Sequence, residues 1–219
     1  MSEENSAPLA ALRVRLAGTQ PGLAPQDMRL PGGASARVLR QRIGDGERLR
    51  RSAVLVPLVD RPEEPTVLLT KRSEELKHHA GQISFPGGRI EASDRGPLEA
   101  ALRETHEEVG ITADQVDVLG YLDTYVTGTG FSIVPVVGVV QPFASLRLDQ
   151  VEVAAAFEVP LSFLVDPDNR RMVAREVFGE RVEFYEWQYQ QHRIWGATAG
   201  IIVGLGERFN IHINQGKSD

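Results

Sequence analysis

The sequence predicts an α/β protein, because a clear helix signal lies between apolar runs that are typical of strands. Residues 97–110 are rich in helix-forming side chains, with a proline suited to a first turn and a glycine suited to an end. Residues 52–60 and 132–140 are apolar and rich in valine, as buried strands are. Leucines at helical spacing in residues 8–17 predict a further helix near the N-terminus.

The remaining elements follow in chain order. Gly18 ends the first helix, and residues 19–36, which contain several prolines and glycines, predict a connecting loop. We therefore divide the chain into an N-terminal helix and loop, 1–36, and a main domain, 37–219. Pro135 predicts a strand start or a bulge at its position. Further strands are predicted at residues 66–70, 115–125 and 149–158, and a short helix at residues 160–165. A hairpin is predicted at residues 170–188 and a last helix from Trp195 onwards.

Composition excludes several classes of function. The chain has 219 residues, 42% of them hydrophobic, which suits one substantial globular domain. A net charge of −6 disfavours a general nucleic-acid binder or a binder of anionic membranes. Because there is no cysteine, disulfides, thiolate nucleophiles and zinc–thiolate sites are excluded. The chain shows neither an apolar run of spanning length nor the pattern of a signal peptide, so we expect a cytoplasmic protein.

Three glutamates of the predicted helix predict a metal site. Glu104, Glu107 and Glu108 are three and four residues apart, so a helix projects them from one side. Such a group of hard oxygen ligands suits Mg²⁺ or Mn²⁺. The simpler interpretation is a solvated acidic face. The tight turn at residues 85–88, Phe-Pro-Gly-Gly, lies just upstream and favours the metal site.

Residues 103–111, Arg-Glu-Thr-His-Glu-Glu-Val-Gly-Ile, resemble the box of the Nudix hydrolases. That box reads Gly, five residues, Glu, seven residues, then Arg-Glu-apolar-x-Glu-Glu-x-Gly-apolar. Here Thr105 fills an apolar position. Counted from Gly88, the first acid is Asp94 instead of glutamate, and eight residues separate it from Arg103. The chain thus has one extra loop residue before the helix, and the resemblance assigns no role to Asp94.

Residues 68–88 resemble the signature of the coenzyme A pyrophosphatase branch of the same family. The signature runs Leu-Leu-Thr-x-Arg-Ser, three residues, Arg, three residues, Gly, three residues, Phe-Pro-Gly-Gly. Every spacing holds, but Lys77 replaces the second arginine. Lysine keeps the charge and loses the bidentate fork. The resemblance implies a Nudix α/β/α sandwich with a mixed sheet and hydrolysis of coenzyme A or acyl-CoA to 3′,5′-ADP and (acyl-)4′-phosphopantetheine.

The resemblance also implies roles for individual residues. Glu104, Glu107 and Glu108 would hold the metal, and Arg103 would orient a glutamate. Basic and glycine residues would contact the substrate's phosphates: Lys71, Arg72, Lys77, Gly87 and Gly88. The general base would be Glu152, with Glu107 and Glu104 as alternatives; His78 and His79 are more simply solvated. Members of the family commonly pair, and the apolar N-terminal segment offers a surface for a homodimer.

Two other functions stay open on the sequence. One is a different Nudix substrate, such as ADP-ribose, NADH or a nucleoside triphosphate, which the lysine at position 77 leaves open. The other is a non-catalytic ligand sensor on the same fold, against which the intact glutamates argue. In each case we expect a small-molecule ligand, with no nucleic acid or membrane as partner.

Overall fold

The structure is a computed structural model that describes residues 3–22, 28–29, 49–143, 145–177 and 180–210. The predicted boundary between residues 36 and 37 lies outside these ranges. Four α-helices are described: α1 (Glu3–Leu16), α2 (Pro97–Val109), α3 (Leu161–Val165) and α4 (Gly196–Asn210). Two short 3₁₀ helices span Ala113–Gln115 and Pro167–Asn169. None of the described helices combines the length and the hydropathy needed to cross a membrane.

The described residues also form twelve strands. They are β1 (Met28–Arg29), β2 (Arg50–Val59), β3 (Thr66–Arg72), β4 (Ile83–Ser84), β5 (Gly87–Arg89), β6 (Val116–Tyr121), β7 (Thr124–Val126), β8 (Phe131–Val140), β9 (Val153–Pro160), β10 (Arg170–Val177), β11 (Glu180–Tyr189) and β12 (His192–Trp195).

Strands β1 to β9 form one mixed sheet with β2 near its centre. β2 runs parallel to β8 along its whole length and antiparallel to β3 and β5. β3 continues the sheet to β4 and β9, both antiparallel to it. The strands predicted at residues 52–60 and 66–70 are therefore present as an antiparallel pair. After β3, a loop and the short strand β4 lead the chain to the turn at residues 85–88.

Helices cover both faces of this sheet, so the predicted α/β/α sandwich is confirmed. Alternate residues of β2 point to opposite faces, as the pleat of a strand requires. Ala53 and Leu55 pack with Ala100 and Ala101 of α2. Val56 and Leu58, together with Val137 and Val139 of β8, belong to the larger core, which also holds buried leucines of α1 and α4: Leu12, Leu16 and Leu205.

A second sheet lies beside the first and contains β10, β11 and β12 in that order. The hairpin predicted at residues 170–188 supplies β10 and β11, which pair antiparallel. β12 was not predicted, and Trp195 ends this strand instead of opening the last helix. Helix α4 begins one residue later, at Gly196. Trp187 and Ile194 of this sheet are fully buried in the larger core.

The prediction that Pro135 marks a strand start or a bulge is wrong. Pro135 lies in the middle of β8 and stays in regular register with Val54 of β2. Proline is tolerated there because the neighbouring strand is interrupted: β6 ends at Tyr121, and β7 begins only at Thr124. Proline has no N–H to donate, and a position next to the gap between two strands tolerates that loss. The carbonyl of Pro135 still accepts a hydrogen bond from the Leu122 amide, at 3.1 Å.

Candidate active site

Helix α2 presents the acidic residues of the site, and its ends fall where the sequence predicts. Pro97 occupies the first turn, and Gly110 follows the last residue in a left-handed conformation, with φ of 81°. Such a φ strains residues with a side chain and favours glycine. Thr105 occupies its apolar position without a lost hydrogen bond, because its buried hydroxyl donates to the Ala101 carbonyl at 2.6 Å.

Glu108 is the most deeply buried acid of the site, with only 3% of its side chain exposed. The Gly87 amide approaches its Oε2 at 3.4 Å, and a guanidinium nitrogen of Arg72 lies 3.8 Å from its Oε1. Burial raises the pKa of Glu108 to about 8, although the positive charge of Arg72 and the Gly87 amide both oppose the rise. The carboxylate therefore lacks a full counter-charge in the protein alone.

Glu104 lies beside the glycine turn and has 16% of its side chain exposed. Gly88 borders its carboxylate so closely that a Cβ at this position would overlap the carboxylate oxygens. Burial also raises the pKa of Glu104, and Arg103 opposes that rise. Gly87, with φ of 150°, packs against the backbone of β2, where no side chain would fit. The two glycines thus bring backbone next to the carboxylates of Glu104 and Glu108.

Arg103 joins the loop before α2 to the acidic residues on the helix. Its Nε and one terminal nitrogen donate to the two oxygens of Asp94, at 3.0 and 3.1 Å. Its other terminal nitrogen donates to Glu104 at 3.0 Å and to Glu107 at 3.2 Å. These hydrogen bonds raise the pKa of Arg103, and the guanidinium lowers the pKa of Asp94.

Asp94 is the site residue to which the sequence assigned no role. It holds Arg103 by two charge-assisted hydrogen bonds, and only 3% of its side chain is exposed. It also accepts a hydrogen bond from the Glu91 amide at 2.8 Å, which closes the loop between β5 and α2. The sequence contained one signal for the role of Asp94, because this acid stands one residue away from the position at which the box requires an acid.

Glu152 reaches the site on the loop that precedes β9. The Asp149 amide donates to the carbonyl of Glu108, and the Glu152 amide donates to the carbonyl of Asp149. The carbonyl of Glu152 in turn accepts from the Ser73 amide at 2.8 Å. The side chain is half-buried. Its negative charge contributes to the raised pKa values of Glu104 and Glu108, so the three carboxyl groups share one electrostatic environment.

The basic residues expected at the substrate do not lie together. Arg72 points towards α2, and its Nε is buried without a hydrogen-bond partner among the described residues. Lys71 pairs instead with Glu74, at 2.9 Å. Lys77 is exposed in the loop between β3 and β4 and makes no ion pair in the described part of the chain. Of the three, Arg72 is the residue that contacts an acid of α2.

The carboxylate oxygens of the three glutamates suit a hard divalent cation, although the side chains are not arranged as a complete ligand shell. Within the described ranges, no three acidic or imidazole side chains lie close enough together to form a ready-made metal site. Glu104 and Glu108 are drawn inwards, whereas 56% of the Glu107 side chain is exposed. The buried carboxylate of Glu108 and the partly buried carboxylate of Glu104 both have raised pKa values and lie next to a glycine turn. Their oxygens are ligands that suit Mg²⁺ or Mn²⁺, whose charge would favour the ionised carboxylates.

Comparison with known proteins identifies the family that shares this arrangement. The sequence model of the NUDIX domain matches residues 49–188. The chain is 41% identical over 162 residues to "Uncharacterized Nudix hydrolase NudL" of Photorhabdus laumondii, covering 74% of this chain and 86% of that protein. It is 40% identical to the protein of the same name from Escherichia coli, covering 74% and 84%.

Solved structures with a related fold are more distant. A MutT/nudix family protein from Enterococcus faecalis has 16% identity and a TM-score of 0.49, over 81% of this chain and 69% of that chain. The Ap4A hydrolase of C. elegans, in a binary complex, has 20% identity and a TM-score of 0.45, over 51% and 80%. With TM-scores below 0.5, neither likeness supports a conclusion about the chemistry of this chain.

Proposed function

This chain belongs to the Nudix hydrolase family, and from that premise we propose that it cleaves the diphosphate of coenzyme A or acyl-CoA. As a Nudix hydrolase it acts on a nucleoside diphosphate derivative. The proposed products are 3′,5′-ADP and 4′-phosphopantetheine, or the acyl form of the latter. The observation that carries the substrate proposal is Arg72, the first arginine of the coenzyme A signature, at 3.8 Å from the buried carboxylate of Glu108.

The metal would be held by Glu104 and Glu108, with Glu107 turning inwards to complete the set. A bound Mg²⁺ or Mn²⁺ would offset phosphate charge and make a coordinated water more acidic. The protein's own residues prepare this site. Asp94 fixes Arg103, and Arg103 in turn fixes the carboxylate of Glu104. Arg72 supplies a positive charge for a phosphate oxygen, and its Nε, which has no partner in the part of the chain that the structure describes, offers a donor.

Glu152 is our candidate for the general base. Its backbone is anchored at both its amide and its carbonyl, so the side chain has a defined origin beside the buried acids. In the reaction, a carboxylate accepts a proton from the attacking water. The water oxygen bonds to phosphorus, and the bond from that phosphorus to the bridging oxygen breaks. Glu104 and Glu107 stay alternatives for this role, because each carries a carboxylate at the same site.

The substrate proposal is tested by incubating the protein with Mg²⁺ and one substrate at a time. The substrates are coenzyme A, acetyl-CoA, NADH, ADP-ribose and a nucleoside triphosphate, with products identified by mass. We expect 3′,5′-ADP from coenzyme A and from acetyl-CoA, together with 4′-phosphopantetheine or its acetyl form. The kcat/KM for these two substrates should exceed that for NADH, ADP-ribose and the nucleoside triphosphate. Preferential cleavage of NADH or ADP-ribose would support another Nudix substrate, which Lys77 in place of arginine leaves open. Binding of coenzyme A without turnover would indicate a sensor.

A further inference from the structure

The loop that leads from β8 into β9 is fixed to the C-terminal end of α2. The Arg147 amide donates to the carbonyl of Val109 at 3.1 Å. The Asp149 amide donates to the carbonyl of Glu108 at 3.0 Å. A helix leaves the carbonyls of its last turn without partners, so the loop satisfies two of them. The position of this loop is therefore tied to the backbone of Glu108, a proposed metal ligand.

Asp149 organises the turn at the end of this loop. Its carboxylate Oδ1 accepts a hydrogen bond from the Val151 amide at 2.9 Å, which is the pattern of an Asx turn. Its carbonyl accepts from the amides of Glu152 and Val153, at 3.1 and 2.8 Å. The chain thus folds back on Asp149 before β9 begins at Val153. Through its amide, carboxylate and carbonyl, one residue links the end of α2 to the backbone of Glu152.

Glu152 is held on its other side by the end of β3. Its carbonyl accepts a hydrogen bond from the Ser73 amide at 2.8 Å, and Ser73 directly follows Arg72. The charge of Glu152 reaches the acids of α2, because it contributes to the raised pKa of Glu108. The backbone of Glu152 therefore lies between the two elements that carry Glu108 and Arg72, and the turn at Asp149 sets its place along the loop.

Helix electrostatics does not explain an acid at position 149. Asp149 is exposed, and the C-terminal end of a helix favours cations over anions. The turn needs only an acceptor oxygen, which a carboxylate or an amide can supply. We propose that Asp149 is a positioning residue that holds Glu152 in place relative to Glu108. This inference rests on the proposed function, in which Glu152 accepts the proton of the attacking water.

A double-mutant cycle at saturating Mg²⁺ tests this role, on whichever diphosphate the wild type cleaves best. Asp149→Ala removes the side-chain acceptor and should lower kcat about tenfold, because a misplacement of about 1 Å can cost about 100-fold. KM should stay within about twofold, since the proposed substrate contacts are unchanged. Asp149→Asn keeps an acceptor oxygen and should retain the kcat of the wild type. In Glu152→Gln, the added Asp149→Ala should lower kcat no further, because the positioned carboxylate is absent.

The turn itself is measured without turnover, by amide hydrogen exchange of the full chain in EDTA. The Val151 amide should exchange about tenfold faster in Asp149→Ala than in the wild type, and Asp149→Asn should keep its protection. Gln150→Ala is the matched control, because Gln150 is an exposed residue of the same turn. Its kcat and its Val151 exchange should both equal those of the wild type. Unchanged Val151 exchange in Asp149→Ala would show that the carboxylate does not hold the turn.

Two kinetic outcomes would also overturn the positioning role. An equal loss of kcat in Asp149→Asn and Asp149→Ala would show that the charge acts and the turn does not. An equal loss from Asp149→Ala in the wild type and in Glu152→Gln would show that Asp149 acts independently of Glu152. If the wild type cleaves another diphosphate and the cycle holds, only the coenzyme A assignment fails. If coenzyme A is cleaved and Glu152→Gln keeps full turnover, Glu152 is not the base, and this role of Asp149 fails with it.

Discussion

The side chain of Glu108 is buried, although its proposed role as a metal ligand requires it to be charged. With 3% of its side chain exposed and one guanidinium at 3.8 Å, it is poorly compensated in the protein alone. Helical spacing alone predicted that Glu104 and Glu108 lie on one side of α2. Spacing could not predict that Glu107 stays exposed, or that Lys71 and Arg72 contact different elements. Those outcomes depend on how α2 and β9 pack around the end of β3.

Glu108→Gln should stabilise the metal-free protein at alkaline pH. The folded-state pKa of about 8 lies above the ordinary value of 4.5, so the folded state binds the proton more tightly than the unfolded chain. The stability that this proton contributes is complete below about pH 4.5 and is lost as the pH rises through 8. At pH 8.5 in EDTA we expect the variant to be more stable by about 2 kcal/mol, measured by urea unfolding.

Glu107→Gln is the matched control on the same helix. Its side chain is 56% exposed, so its neutralisation should change the free energy of unfolding by less than about 0.5 kcal/mol at either pH. At pH 5 the wild type and Glu108→Gln should differ little. Equal stability of these two proteins at pH 8.5 would contradict the description of Glu108 as a buried and uncompensated carboxylate.

The loop between β5 and α2 accommodates one more residue than the family pattern and keeps its contact with the helix. The box is one residue longer here than its family pattern, yet Asp94 still reaches Arg103 with both oxygens. The loop closes through the hydrogen bond between the Glu91 amide and Asp94, at 2.8 Å. A sequence pattern counts residues along the chain and cannot show that a loop folds back on itself. The helix bounds were predictable because a proline and a glycine mark them locally.

Asp94→Asn should lower kcat while leaving the KM for the substrate nearly unchanged. The variant keeps its shape but loses the charge that fixes Arg103, which positions Glu104. Removal of such a supporting partner typically costs 10- to 100-fold in metal affinity or activity. Steady-state kinetics across Mg²⁺ concentrations should show a raised metal requirement, a readout that simple destabilisation would not produce.

Glu99→Gln is the control, because it removes an acid from the first turn of α2, close to Asp94 in the chain. Glu99 pairs with Arg95, whose side chain is 89% exposed, and among the described residues it makes no hydrogen bond or ion pair with Arg103, Glu104 or Glu108. Its replacement should leave kcat and the Mg²⁺ requirement within about twofold, because exposed ion pairs contribute little. A normal Mg²⁺ dependence in Asp94→Asn would remove Asp94 from the positioning role.

At the scale of the whole molecule, α1 is built into the main core instead of standing apart. Leu12 and Leu16 are fully buried, with Val56 and Leu58 in the same cluster. The sequence predicted the helix and the two-sided sandwich from leucine spacing and from the family resemblance. It could not predict which strands α1 would cover, or that β10 to β12 would form a second sheet. The position of α1 depends on contacts between residues far apart in the chain, such as Arg13 and Asp117. The second sheet pairs strands that are neighbours in the chain, and its place depends on the packing of Trp187 and Ile194 in the larger core.

Leu12→Ala should destabilise the entire domain in one cooperative transition. The side chain is fully buried, so its truncation should cost about 2–4 kcal/mol through lost burial and the cavity that remains. Val14→Ala on the same helix is the control, because Val14 is 78% exposed and its loss should be close to neutral. Thermal unfolding by circular dichroism measures both. Equal effects would mean that α1 does not pack in the core as described.

The most direct test of the metal site is Mn²⁺ binding by the intact protein, followed by electron paramagnetic resonance. The central claim is that Glu104 and Glu108 hold the divalent cation on which hydrolysis depends. We predict saturable binding by the wild type and at least tenfold weaker binding by Glu104→Gln and by Glu108→Gln, with turnover lost in parallel. Mn²⁺ affinity that is unchanged in both variants, or full turnover by Glu108→Gln, would contradict it.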